Sequence, residues 1–181
     1  MGTIVWLASE LMFFSGLFAA YFSLRAANSS ATSVLGGWPP KGDDIDAVSV
    51  GIATIFLVMS SFTMQMAVSR ALRNDRKGFY GWLALTFALG ALFAGMQVAD
   101  YIGRPFSISQ NAYTSCFYVL TGFHLLHVCG GLFAMVIMGG RARSSRFGGH
   151  HSGPAVEMLS YYWHFVDVVW IALYAMIFLL K

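Results

Sequence analysis

The stretch Ala112-Tyr113-Thr114-Ser115-Cys116-Phe117-Tyr118-Val119-Leu120-Thr121-Gly122-Phe123-His124-Leu125-Leu126-His127-Val128-Cys129-Gly130-Gly131-Leu132-Phe133-Ala134-Met135-Val136-Ile137-Met138 contains no Asp, Glu, Lys or Arg. A bilayer's hydrocarbon core is crossed by about 20 apolar residues in an α-helix. This run is long enough. Hydrocarbon offers its backbone no hydrogen bonds, so the peptide groups must satisfy one another, and a helix does so within one segment. Four more runs have the same character: Thr3 to Leu24, Ala47 to Ala71, Phe79 to Tyr101 and Pro154 to Leu180. Pro154 suits a first helical turn. The predicted fold is therefore all-α, a polytopic membrane bundle of five transmembrane helices. No linker, repeat or low-complexity tract divides the chain, so residues 1–181 are read as a single transmembrane domain.

Composition agrees. Of 181 residues, 57% are hydrophobic and only 10% charged, against about 25% charged in soluble domains. A water-soluble chain of this size has nowhere to hide so much apolar surface. The net charge of +3 does not imply nucleic acid, because the basic residues sit in short loops between the apolar runs. Cys116 and Cys129 both fall inside apolar stretches without metal-type spacing, and read as small buried hydrophobes. The first run is not a signal peptide: no basic stretch precedes it, it exceeds a signal core in length, and it contains Glu10.

Loop charges set the orientation. Arg70, Arg73, Arg76 and Lys77 fill the second loop, and Arg141, Arg143 and Arg146 the fourth. Arg25, Lys41, Arg104 and Lys181 fall on the other side, where Asp43, Asp44 and Asp46 offset them. The expected topology has a cytoplasmic N-terminus and an outside C-terminus. Trp6, Tyr21, Trp38, Tyr80, Trp82, Tyr101, Tyr113 and Trp163 lie near run ends and read mostly as interfacial anchors. Gly16 with Ala20, and Gly90 with Ala94, are small-residue pairs that allow close helix contact.

Ionisable groups inside the membrane each need a partner, a proton or a function. Glu10 shares one helical face with Trp6, Phe14, Leu17 and Tyr21, and no Lys or Arg lies in its helix before Arg25. It is either protonated or paired with another helix. His124 and His127, three apart, are read as sharing a face with Thr121 and Gly131. Packing, hydrogen bonding or lipid headgroup contact is weighed there against a metal or haem site, which would want facing histidines at matching depth. In the last run Glu157, Ser160, Tyr161, His164 and Asp167 form one polar stripe, a structural cluster or a functional one. His164 and Asp167, one turn apart, are spaced to form an ion pair or a neutral hydrogen bond. Asp100, His150 and His151 read as solvated. No catalytic residues and no metal ligands are picked out. Physics alone leaves a transporter, a channel, a haem anchor or a subunit of a larger complex.

Several segments carry a family resemblance. They are Ser9-Glu10 with Phe13-Phe14, Gly37-Trp38-Pro39-Pro40, Asp75-Arg76-Lys77, Pro105-Phe106-Ser107-Ile108-Ser109, and Thr121-Gly122-Phe123-His124 with His127-Val128. The strongest is Tyr162-Trp163-His164-Phe165-Val166-Asp167-Val168-Val169-Trp170. In order and spacing these resemble cytochrome c oxidase subunit III, of the haem-copper oxidases, in its five-helix bacterial form. Longer members have seven helices; this chain resembles the last five. It begins almost at the first helix, so a short N-terminal segment is expected to be missing from this numbering. Val166 in His-Phe-Val-Asp leans towards the cytochrome c branch rather than the quinol oxidases of the same superfamily.

The resemblance implies an accessory, non-redox subunit of a proton-pumping respiratory oxidase in the bacterial plasma membrane. It would have no cofactor of its own, haem and copper being expected in partner subunits. Its partners would be the catalytic haem-copper subunit I, the other oxidase subunits, membrane lipids and, in a supercomplex, a cytochrome bc complex. It would support proton uptake and stability and bind phospholipid. On this resemblance Glu10 lies at the family's lipid cleft, and His127 and Arg141 lie near lipid headgroups. The alternatives are a quinol oxidase subunit III and, from another class, a standalone ion or proton transporter using Glu10, His164 and Asp167.

Overall fold

Among the described residues the chain turns sharply at Arg73–Asp75. Asn74 takes a positive φ of 57° there, a left-handed conformation that Asn tolerates better than most residues. The Asp75 carboxylate then accepts the Gly78 backbone N–H at 3.0 Å, capping the helix that follows. Such a turn forces its flanking helices side by side and antiparallel. A computed structural model describes residues 2–28, 47–103, 111–142 and 153–179. The helices are α1 (Gly2–Asn28), α2 (Ala47–Leu72), α3 (Arg76–Gly103), α4 (Ala112–Arg141) and α5 (Gly153–Tyr174), the last continuing into a π-helical turn, Ala175–Leu179. Asn111 starts α4 with a reciprocal capping box to Thr114. No strand occurs among the described residues.

Four helices are long and apolar enough to cross a membrane: Gly2–Asn28, Ser49–Leu72, Arg76–Gly103 and Ala112–Arg141. α5 falls short by composition, because Glu157, Ser160, His164 and Asp167 dilute its apolar content. The Trp38–Pro40 and Pro105–Ser109 segments, Arg143, Arg146, His150 and His151 lie outside the described residues.

α5 packs between α2 and α4, while α1 rests only against α4 and α5 among the principal helix contacts. The centre is Trp163, 0% exposed. Its indole N–H donates to the Ser60 hydroxyl at 2.9 Å, and the indole of Trp170 donates to Thr54 at 2.9 Å. The six-membered ring of Trp163 lies against the backbone of α3 and α4. A Cβ on Gly90 would come within 2.8 Å of it, and one on Gly131 within 2.7 Å. The two glycines let a large ring fill the space between three helices.

This corrects the anchor reading for Trp163, and for Tyr21 and Tyr113, which are buried in the core. An aromatic near the end of an apolar run faces the interface only when no neighbouring helix covers it. Gly16 has nothing within 4 Å of a would-be Cβ, so the Gly16–Ala20 pair makes no close approach. Gly90 does, but against the Trp163 side chain. Outward-facing Ile55, Phe62, Leu126, Phe133 and Val136 are exposed. An exterior so apolar suits lipid rather than water.

Candidate functional site

α1 is held to the bundle by the face that sequence periodicity singled out. Trp6 stacks on Tyr162 with ring centres 5.1 Å apart. Phe14, buried, meets the His127 ring at 5.0 Å. Between them Glu10 Oε2 lies 3.0 Å from His127 Nε2. Of the two readings open for Glu10, proton or partner, the geometry gives it a partner on α4.

The other side of the imidazole fixes what that contact must be. His127 Nδ1 lies 2.7 Å from the Phe123 carbonyl oxygen. A carbonyl has no proton to give, so Nδ1 carries one. Nε2 then either accepts from a Glu10 carboxylic acid or, as imidazolium, donates to a Glu10 carboxylate. Both arrangements place one proton between the two side chains and leave the pair neutral overall. A neutral pair avoids the cost of an isolated charge in a medium of low dielectric constant. The Tyr162 hydroxyl donates to the His127 backbone oxygen at 2.8 Å, so α1, α4 and α5 meet at this point.

Beside the pair runs a groove of about 620 Å³ between α1, α4 and α5. Trp6, Gly130, Ala134, Met138 and Tyr162 wall it, and Arg141 lies at the end of α4. Such a groove can take an acyl chain, and a guanidinium can bind a phosphate with two parallel hydrogen bonds. Glu10 and His127 touch one another, and Arg141 lines the adjoining groove about 21 Å further along α4 at 1.5 Å per residue.

His124 does not join them. Three residues turn a helix by about 300°, so the two histidines diverge. His127 faces α1. His124 is buried towards α3 and α5, stacked on Trp170 at 4.7 Å and edge-on to Phe93 at 6.0 Å. Neither of its ring nitrogens has a hydrogen-bond partner among the described residues.

The polar stripe of α5 is also divided. Asp167 and Ser160 are buried and His164 and Glu157 half-buried, but Tyr161 points outward, 61% exposed. The direct His164–Asp167 pair that the spacing allows is replaced by a bridge. Ser61 of α2 donates its hydroxyl to Asp167 Oδ2 and meets His164 Nδ1 at 2.9 Å. Sequence reasoning did not single out Ser61, and it named Tyr162 and Gly131 without their roles at His127 and Trp163. The hydroxyls Thr54, Ser60, Ser61 and Thr63, clustered in an otherwise apolar α2, were the available signal for the first.

The family profile described as "Cytochrome c oxidase subunit III" matches residues 1–181. The chain belongs to the cytochrome c oxidase subunit III family. It is 44% identical over 184 residues to a probable cytochrome c oxidase subunit 3 of Mycobacterium tuberculosis, covering 100% of this chain and 87% of that one. It is 38% identical over 184 residues to the cytochrome c oxidase subunit 3 of Thermostichus vulcanus, covering 99% and 86%. For the Synechocystis protein of the same name the identity is 38% over 183 residues, covering 99% and 74%. As a subunit III, the chain is a multi-pass membrane component of a haem-copper oxidase.

Proposed function

We propose that this chain is the accessory, non-redox subunit of a proton-pumping respiratory cytochrome c oxidase, and that it supports proton uptake, stability and lipid binding. Electrons pass from cytochrome c to dioxygen through haem and copper held by the catalytic subunit I and its partners. This chain contributes no catalytic residue. It lies in the plasma membrane as one domain, with α5 as a fifth span, its N-terminus cytoplasmic and its C-terminus outside. The relatives named cytochrome c oxidase favour this reading over a quinol oxidase.

The observation that carries the supporting role is the Glu10–His127 hydrogen bond at 3.0 Å. It adds a polar tether to the aromatic contacts of Trp6 and Phe14 that hold α1, and the position of α1 sets the width of the groove walled by Trp6, Met138 and Tyr162. Phospholipid occupies that groove, with Arg141 on the headgroup phosphate. The shared proton of Glu10 and His127 keeps a titratable group in the membrane without a net charge.

The test is Glu10→Ala in the intact oxidase. Initial oxygen reduction is expected to stay close to parent, while activity over many turnovers decays faster and proton uptake slows. Superimposable decay curves for variant and parent would refute the role. Oxidation of quinol but not of reduced cytochrome c by the purified complex would move it to the quinol branch.

A further inference from the structure

On the side of the bundle away from α1, α2 and α5 leave a groove of about 370 Å³ lined by Val58, Ser61, Phe62, Gln65, His164, Asp167, Val168 and Ile171. Its rim is apolar and outward-facing: Phe62 is 67% exposed and Val168 64%. Its floor is not apolar. His164 and Asp167 lie roughly 16 and 21 Å along α5 from Gly153 at 1.5 Å per residue, too deep for a lipid headgroup to reach.

The hydrogen bonds on this floor are incomplete. Ser61 has a single hydroxyl proton, and it goes to Asp167 Oδ2. The contact between Ser61 and His164 Nδ1 must then be donated by the imidazole. In the neutral ring, His164 Nε2 then carries a lone pair. No hydrogen bond is made by Nε2 among the described residues. Asp167, only 5% exposed, also leaves its second oxygen, Oδ1, without a partner among them. Gln65 stands exposed at the same groove. Two acceptors at mid-membrane depth thus await donors that hydrocarbon cannot provide.

We propose that this groove is the seat of a transmembrane helix from another oxidase subunit, one that carries a hydrogen-bond-donating side chain to His164 and Asp167. The helix packs on Phe62, Val168 and Ile171, and its donor, a hydroxyl, amide or cationic group, completes the Ser61 bridge. Membrane helices associate through such packing together with interhelical hydrogen bonds. The proposal rests on the reading of the chain as an oxidase subunit and specifies which face meets the partner.

The experiment places photoreactive p-benzoylphenylalanine at Phe62 and, separately, at Val168 in the tagged chain within its native membranes. After irradiation the oxidase is purified and the adducts are sequenced by mass spectrometry. Both positions are expected to capture the same transmembrane segment of a haem-bearing or other oxidase subunit, with a donor residue within one turn. His164→Phe, read as the fraction of partner retained in rising detergent, is expected to weaken association about threefold, the size of one interhelical hydrogen bond. Gln65→Leu, exposed and free of any fold role, is a second variant expected to act in the same direction. Lipid adducts alone at both positions, or capture of a second copy of this chain, would overturn the proposal while a co-purifying haem spectrum kept the oxidase reading intact. A tagged chain that brings down no haem-bearing subunit would overturn both.

Discussion

Gly131→Ala tests the packing of Trp163 directly. The added Cβ would stand 2.7 Å from Cζ3 and 2.8 Å from Cε3 of Trp163, and 3.2 Å from Cε1 of Tyr162. Carbon atoms rest at about 3.5–4.0 Å, so close to an ångström must be opened. The indole cannot simply retreat. Its neighbouring edge lies against Gly90, where a Cβ would be 2.8 Å away, and its N–H is committed to Ser60. Either α4 moves off α5 or the ring leaves its rotamer. Overpacking of this kind costs about 1–3 kcal/mol. Alanine returns up to about 1 kcal/mol over glycine through its helix propensity. With that gain in full the net loss is about 0–2 kcal/mol, up to a factor of about 30 in the folded ratio, and against a control alanine with the same propensity gain the whole overpacking cost of about 1–3 kcal/mol shows.

The assay is reversible unfolding of the purified chain in mixed micelles as the SDS fraction rises, followed by tryptophan fluorescence. Gly95→Ala is the control, since nothing lies within 4 Å of a Cβ there. It should be neutral or slightly stabilising. Trp163→Phe in the Gly131→Ala background should show a coupling of about 0.5 kcal/mol or more, as expected for residues in contact. If Gly131→Ala and Gly95→Ala unfold at the same SDS fraction, the wedge has no energetic weight and the packing argument fails.

Other expectations follow from the same contacts. His127→Phe keeps an aromatic ring against Phe14 but removes the partner of Glu10; protease accessibility of α1 should rise, and an unchanged digestion pattern would count against the pair as a tether. Ser61→Ala strands the buried Asp167 carboxyl and the half-buried His164 ring, so the chain should lose about 1–3 kcal/mol in the SDS titration, whereas Ser69→Ala, whose hydroxyl bonds only the Gln65 carbonyl of its own helix, should lose little. Arg141→Ala should reduce the anionic phospholipid retained per chain in native mass spectrometry, and full retention would remove Arg141 from the headgroup site. Trp6→Ala breaks the stack on Tyr162 and opens one wall of the same groove, so bound lipid should exchange faster in a fluorescent-lipid competition.

The helical fold was readable from the sequence because runs such as Ala112–Met138 carry no charge and hydrocarbon leaves the backbone one local solution. The partner of each polar group was harder to read. Periodicity placed Glu10 on the face with Trp6 and Phe14, but nothing local says that His127, more than a hundred residues later, lies opposite. The His124–His127 pair misled because three-residue spacing leaves two side chains about 60° apart, enough for neighbouring helices to claim one each. The His164–Asp167 spacing suggested a direct bond, and the intervening Ser61 comes from another helix. Trp163 looked like an interfacial anchor because the sequence does not reveal that Gly90 and Gly131 open a space for its ring.

The hydroxyls of α2 bear on how the chain is made. Ribosomes synthesise α2 long before α5, and the polar groups of α5 leave it the one helix among the described residues that falls short of the apolar content of a span. A lone Asp at the centre of a membrane helix raises the cost of insertion by about 3 kcal/mol. By the time α5 leaves the ribosome, Thr54, Ser60 and Ser61 already stand in the bilayer, and they are the residues that bind Trp170, Trp163, His164 and Asp167. The last helix thus enters a membrane prepared by the second, and a chain from which α2 alone is deleted should fail to retain it.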